Sequence, residues 1–174
     1  MQLLEALDPA RLMRMGLLTL IGMIAIFLEI APLGLEATSR PSPDLLLCVV
    51  AYWSIRRPGS APAILIFALG LTRDLLTDVP IGAGVLSLLL IAEVLKLRRH
   101  YFARASFATE WIAVAFAAIA SAALHWFLVF ITLAQPPYLF DLFNQSVYTM
   151  MAYPIMALFF RWGLRISWKR IEAV

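Results

Sequence analysis

Four ionisable side chains lie inside long apolar stretches of this sequence, and they are the residues that could carry chemistry: Glu29, Arg73, Asp74 and His125. A charge in an apolar environment costs free energy unless another charge or a hydrogen-bonding group compensates it. Such residues therefore either pair between helices or contact a ligand, an ion or a partner. Successive helical residues point about 100° apart, so Arg73 and Asp74 do not face each other. We expect Glu29 to pair with Arg73, or Arg73 and Asp74 to contact different neighbouring helices.

The sequence contains no pattern typical of an enzyme, a cofactor site or a metal site. His125 has no second histidine, cysteine or carboxylate close to it in the chain, so we expect it to form a hydrogen bond between helices. There is no glycine-rich phosphate loop and no Gly-x-Ser-x-Gly nucleophile motif. We therefore predict a protein that is not an enzyme, with no catalytic residue, no cofactor and no metal.

The composition is typical of a membrane protein. Hydrophobic residues make up 63% of the 174 residues and charged residues 14%, whereas soluble domains contain about 45–50% and about 25%. A soluble fold of this length has too little interior to cover so much apolar surface. We predict an all-α fold, a polytopic membrane helical bundle that forms a single integral membrane domain over residues 1–174. The single cysteine, Cys48, excludes an intramolecular disulfide, so packing must hold the fold together.

Six apolar segments are candidates for membrane-spanning helices: residues 15–35, 44–55, 61–76, 82–95, 111–133 and 144–160. A full crossing needs roughly 17–25 mainly apolar residues, and the second, third and fourth segments are shorter than that. They can still cross if they extend into the interfaces or thin the bilayer locally, so we predict about six transmembrane helices. Five spans, or a re-entrant pair within residues 44–95, are the alternatives.

The positions of the basic residues favour six spans. Cytoplasmic loops of membrane proteins collect Lys and Arg. If six helices alternate in direction from a cytoplasmic amino terminus, twelve of the fourteen basic residues fall on the cytoplasmic side. Five spans would move one basic end of the chain outside. We therefore predict that both termini are cytoplasmic and that the net charge of +3 reflects topology and no nucleic-acid binding.

A few polar residues and glycines stand where helices are expected to begin or to approach each other. Asp44 is the first residue of the second segment and is a natural cap for a helix amino terminus. Gly70, Gly82 and Gly84 allow close approach between short helices. Glu110 lies immediately before the fifth segment and suits a helix amino terminus, where a negative charge is favoured.

Residues 41–100 contain two stretches that match a known family. The first comprises Pro43-Asp44-Leu45-Leu46-Leu47, Ala51-Tyr52-Trp53 and Arg56-Arg57-Pro58. The second runs through Gly70-Leu71-Thr72-Arg73-Asp74-Leu75-Leu76 to Pro80-Ile81-Gly82. Together they resemble the second span and the following region of the rod shape-determining protein MreD family. That family has a glycine, an aspartate a few residues later and a second glycine that opens the next helix, and Gly70, Asp74 and Gly82 match this pattern.

This resemblance implies a non-enzymatic scaffold of the bacterial elongation machinery in the cytoplasmic (inner) membrane. Family members partner MreC and, through it, the MreB filament and the peptidoglycan synthase formed by RodA and the elongation transpeptidase. Their fold is similar to that of the S components of energy-coupling-factor vitamin transporters. Membrane lipid is a further expected partner, and self-association is compatible with the sequence.

Two other functions remain open from the residues. A vitamin-binding transporter subunit similar to an S component would need a polar pocket open to the outer face. The outer half-helices and loops offer few polar side chains for one: Glu29, Arg73, Asp74, His125, Asn144 and Gln145. An ion-coupled transporter could use Glu29, Arg73 or Asp74 as a relay, but the sequence has no internal repeat of the kind such transporters commonly show.

Overall fold

The computed structural model of the protein describes residues 9–31, 42–77, 81–104, 106–131 and 138–163. Regular structure within these residues is entirely helical, with no strand. Seven α-helices follow each other along the chain: α1 Pro9–Ile30, α2 Leu45–Arg56, α3 Ala63–Leu76, α4 Ala83–Leu97, α5 Arg99–Arg104, α6 Phe107–Ile131 and α7 Leu139–Gly163. A single 3₁₀ turn, Pro58–Ser60, joins α2 to α3. The predicted all-α class is therefore confirmed for this part of the chain.

Helix α2 occupies the centre of the bundle. Ten consecutive residues of this helix, from Leu46 to Ile55, are buried. A helix that is covered on every side must be apolar around its whole circumference, and the sequence of α2 meets that requirement with only one charged residue, Arg56, at its end. Helices α1, α4 and α7 pack directly around it, while α3 packs on α4 and α6 packs on α7.

The outer surface of the bundle is apolar. Large hydrophobic side chains are exposed on α1, α3, α4, α6 and α7, with Ile64, Phe116 and Trp162 among the most exposed. Soluble monomers rarely expose contiguous apolar surface on this scale, whereas lipid covers it without cost. Two helices in the described residues are long and apolar enough to cross a membrane by themselves, Arg11–Ile30 and Phe107–Ile131.

A helix lies at each of the six predicted segments, although the boundaries differ. Helix α1 begins earlier than predicted, at Pro9, and the predicted positions 32–35 and 132–133 lie outside the described residues. Helix α7 is longer than residues 144–160. Its hydroxyl side chains remain compatible with a helix because Ser146 and Thr149 donate to the carbonyl oxygens of Leu142 and Gln145 within it. The number of bilayer crossings stays a prediction.

The contact between α3 and α4 depends on the absence of a side chain at Gly70. A Cβ atom added at Gly70 would lie 3.1 Å from the Cα atom of Val85, closer than ordinary van der Waals contact. The two helices therefore approach each other backbone to backbone at this point, as small residues allow in membrane bundles. This packing holds the end of α3, which carries Arg73 and Asp74, against the start of α4.

Candidate functional site

Arg73 lies in the last turn of α3 and joins two carboxylates from different parts of the chain. Its Nε atom is 3.3 Å from Glu29 Oε2, near the end of α1. Its Nη1 atom donates to both carboxylate oxygens of Asp44, at 3.1 Å each. The side chains of Arg73, Glu29 and Asp44 are only 20%, 8% and 12% exposed. One guanidinium thus sits between two carboxylates in a largely buried environment, and we refer to these three residues as the Arg73 cluster.

Both carboxylates of the Arg73 cluster also bind the amino terminus of α2. Glu29 Oε1 accepts a hydrogen bond of 2.8 Å from the backbone N–H of Leu46, and Asp44 Oδ1 accepts one of 2.8 Å from Leu47. The first N–H groups of a helix have no partner within the helix, and negative charge is favoured there. The backbone N–H of Asp44 in turn donates to Thr149 Oγ1 at 2.8 Å, which connects α7 to the same point.

Asp74 points to a different helix from Arg73. Its Oδ2 atom accepts hydrogen bonds from the backbone N–H groups of Gly82 at 2.9 Å and Val85 at 3.2 Å, so it caps α4. Gly82 adopts a positive φ of 102°, which side chains other than glycine rarely accept. A Cβ atom at Gly84 would lie 2.2 Å from Asp74 Oδ1. The sequence left two arrangements open, and the structure shows both. Glu29 pairs with Arg73, and the side chains of Arg73 and Asp74 contact different helices.

A cavity of about 520 Å³ lies beside the Arg73 cluster. It occupies the end of the bundle at which α1 and α3 finish and α2, α4 and α7 begin. Glu29, Asp44, Arg73 and Asp74 line one part of it. Helices α6 and α7 supply further polar side chains to the lining: Ser121, His125, Asp141, Gln145, Ser146 and Thr149.

Five of the seven residues singled out from the sequence line this cavity: Glu29, Asp44, Arg73, Asp74 and His125. The other two are glycines that shape its surroundings, Gly70 in the contact between α3 and α4 and Gly82 in the turn before α4. The expected hydrogen bond of His125 to another helix is not formed with any described residue, since His125 faces the cavity. No group of three or more His, Cys, Asp or Glu residues within the described ranges is arranged to hold a metal ion.

Sequence reasoning missed a second buried cluster, at the opposite end of α2. Glu110, in the first turn of α6, is only 3% exposed. Its Oε2 atom pairs with Arg56, and its Oε1 atom accepts a hydrogen bond of 2.7 Å from the hydroxyl of Tyr153 in α7. The sequence indicated a carboxylate at the start of a helix, but it carried no signal for these partners, which are 54 and 43 positions away.

A profile of the family "rod shape-determining protein MreD" matches residues 10–163 of the chain. The chain belongs to the MreD family. No curated protein and no solved structure matches it significantly. Membership in the MreD family supports a role in the determination of rod shape and agrees with the apolar outer surface, since members of the family are membrane proteins.

The glycine–aspartate–glycine pattern that contributed to the resemblance to the MreD family forms one structural unit. Asp74 caps α4, Gly82 supplies the turn that brings the N–H groups to it, and Gly70 lets α3 and α4 come close enough. The geometry of one contact, between α3 and α4, therefore explains the spacing of the glycine, the aspartate and the second glycine.

Replacement of Arg73 by Met should destabilise the protein strongly. The change leaves the carboxylates of Glu29 and Asp44 buried without their cation, which typically costs about 3–5 kcal/mol. Chemical unfolding of the detergent-solubilised protein measures this loss. Arg14→Met is the matched control because Arg14 is exposed, and it should change the free energy of unfolding by no more than about 0.5 kcal/mol. Equal effects of the two variants would contradict a structural role for the Arg73 cluster.

Gly84→Ala and Asp74→Ala should each lower the free energy of unfolding, by about 1–3 kcal/mol, because both disrupt the cap of α4. The double variant should lose less than the sum of the two, since the added methyl group clashes with the carboxylate that Asp74→Ala removes. Gly16→Ala is the control, as a Cβ there meets no atom within 4 Å. Strict additivity in the double-mutant cycle would show that the two positions act independently.

Tyr153→Phe should destabilise the protein by about 1.5–3 kcal/mol through loss of the hydrogen bond to the buried Glu110 carboxylate. Tyr138→Phe provides the comparison, because Tyr138 is 82% exposed and should tolerate the loss of its hydroxyl. The unfolding midpoints of the two variants, measured in the same detergent, test this difference in stability. A Tyr153→Phe midpoint equal to that of the unsubstituted protein would show that this hydroxyl makes no net contribution.

Proposed function

We propose that this member of the MreD family is a non-enzymatic membrane scaffold of the bacterial elongation machinery. In this role it partners MreC and thereby couples MreB to peptidoglycan synthesis by RodA and the elongation transpeptidase. The observation that carries the proposal is that the buried charged side chains of this protein form contacts between helices. Arg73, Asp74 and Glu110 all bind groups that hold helices together, which suits a rigid scaffold better than an ion relay.

We propose a six-span topology for the single membrane domain, with both termini cytoplasmic. The described basic residues support it, since all but Arg73 lie near the Arg56 end of the bundle: Arg11, Arg14, Arg56, Arg57, Lys96, Arg98, Arg99, Arg104 and Arg161. Short cytoplasmic loops collect such residues. In this orientation the Arg73 cluster and its cavity lie toward the outer face of the membrane.

One observation favours a second candidate function, a small-molecule-binding subunit similar to an S component. That function needs a polar pocket near the outer face. Glu29, Arg73, Asp74, His125 and Gln145 converge on one cavity, although they are scattered in the sequence. A vitamin that remains bound to the purified protein in native mass spectrometry would promote this candidate over the scaffold.

Cysteine labelling tests the proposed topology. Cys48 is buried, and its replacement by Ala gives a cysteine-free background. Gly59→Cys and Tyr138→Cys then place single exposed thiols at opposite ends of the bundle. In spheroplasts, a membrane-impermeant maleimide should label the thiol at position 138, whereas the thiol at position 59 should react only after permeabilisation. The reverse pattern, or labelling of both thiols in sealed spheroplasts, would exclude the proposed orientation.

Co-purification with MreC and complementation of cell shape test the scaffold itself. In a rod-shaped bacterium depleted of its own MreD-family protein, this chain should retain MreC on affinity purification and restore rod shape. Arg73→Met should lose both in proportion to its loss of folded protein, and Arg14→Met should behave like the unsubstituted chain. Rod-shaped cells after depletion, or purified protein without MreC, would count against the proposal.

A further inference from the structure

The cavity wall formed by α6 and α7 carries polar side chains without a protein partner. Ser121 is only 8% exposed, and its hydroxyl forms no hydrogen bond with any residue that the structure describes. The side chains of His125, Asp141 and Gln145 likewise form none within those residues. Ser121 is the buried member of the four, whereas His125, Asp141 and Gln145 are half-buried. Buried polar groups in folded proteins almost always have a partner. This wall is therefore suited to hydrogen-bond a molecule inside the cavity.

The four side chains are arranged as two pairs. Ser121 and His125 are four residues apart on α6, and Asp141 and Gln145 are four residues apart on α7. Residues at this spacing lie on the same helix face, one turn apart. Each helix thus presents two polar side chains, one turn apart, to the cavity. The exposed positions on the other faces of the two helices include Phe, Ile and Leu.

The charges around the cavity favour a cation. Among the residues that the structure describes, four carboxylates line it, those of Glu29, Asp44, Asp74 and Asp141, and Arg73 is the one Lys or Arg residue. Arg73 forms ion pairs with Glu29 and Asp44, whereas Asp74 accepts hydrogen bonds from backbone N–H groups and forms no ion pair with a described residue. Asp141 has no cationic partner among the described residues. An anion would meet this surplus of negative charge, whereas a positively charged group would reduce it.

The size of the cavity is that of a small-molecule site. Ligand pockets commonly enclose about 300–1,000 Å³, and this cavity encloses about 520 Å³. A primary ammonium group carries three donor hydrogens, which carboxylate and amide oxygens can accept. The chain joined to it would meet the apolar part of the lining, including Leu47, Ala118 and Leu142.

We propose that this cavity binds a primary ammonium group, borne by a small soluble amine or by a lipid headgroup. Asp141 pairs with the ammonium group, and Ser121 and Gln145 accept its remaining hydrogens or bind neighbouring polar atoms. The site is separate from the contacts that hold the bundle together, because none of these three side chains belongs to the Arg73 cluster. It is also independent of the proposed scaffold function, as a scaffold that binds MreC needs no such ligand.

Three five-carbon probes of different charge test the proposal. Isothermal titration calorimetry of the detergent-solubilised protein should show saturable binding of 1,5-diaminopentane and a matching rise in its unfolding temperature. The neutral 1,5-pentanediol and the anionic glutarate should produce neither effect. Absence of saturable diamine binding, or equal binding of the diol, would overturn the proposal.

Substitutions in the unpartnered wall locate the binding. Asp141→Asn should weaken diamine binding about tenfold or more, since it removes one charge-assisted interaction, and Ser121→Ala should weaken it several-fold. Glu93→Gln is the control, because this exposed carboxylate pairs with Lys96 at the opposite end of the bundle. All three variants should unfold at the temperature of the unsubstituted protein without ligand. Unchanged affinity in Asp141→Asn, or an equal loss in Glu93→Gln, would contradict binding in this cavity.

Competition with short-chain lipids distinguishes the two sources of the ammonium group. Displacement of the diamine by a short-chain phosphatidylethanolamine, but not by the corresponding phosphatidylglycerol, assigns the site to a lipid headgroup. Retention of the diamine against both lipids assigns it to a soluble amine. Both results support the ammonium site. Equal displacement by the two lipids would show competition through the acyl chains and would count against it.

Discussion

The guanidinium of Arg73 has to be neutralised in a place with little access to water, and most of the architecture follows from how this is done. Two carboxylates share the charge, and each also needs hydrogen-bond donors of its own. The amino terminus of α2 supplies these donors through Leu46 and Leu47. Because Glu29 and Asp44 come from opposite sides of the connection between α1 and α2, one side chain of α3 holds three helices at a single point.

The glycine and aspartate pattern of the MreD family lies next to the Arg73 cluster. Asp74 satisfies the first N–H groups of α4, and this requires both the left-handed turn at Gly82 and the absence of a side chain at Gly84. Neighbouring residues of one helix, Arg73 and Asp74, thereby organise the starts of two other helices, α2 and α4. The same geometry explains why the two side chains cannot be exchanged for each other: one must be a donor and the other an acceptor.

The shortness of α2 explains why a cavity exists beside it. A helix of 12 residues is about 18 Å long, much less than the hydrocarbon thickness of roughly 30 Å. The surrounding helices α6 and α7 have 25 residues each and extend beyond its first turn. The space past Asp44 is therefore bordered by its neighbours, and no central helix among the described residues fills it. Polar residues of five helices face this space, while the other end of α2 is closed by the Arg56–Glu110–Tyr153 cluster.

The sequence by itself determined the helical class, the approximate positions of the helices and the identity of the charged residues within the apolar stretches, because these depend on local composition and on the cost of burying ionic groups. It also determined Asp44 as a helix cap and Gly70, Asp74 and Gly82 as a family pattern. Only the tertiary structure decided which groups meet. The double role of Asp44, the partners of Glu110 and the common cavity of His125 and Asp141 depend on contacts between residues far apart in the chain, and hydrophobic periodicity carries no information about such pairing.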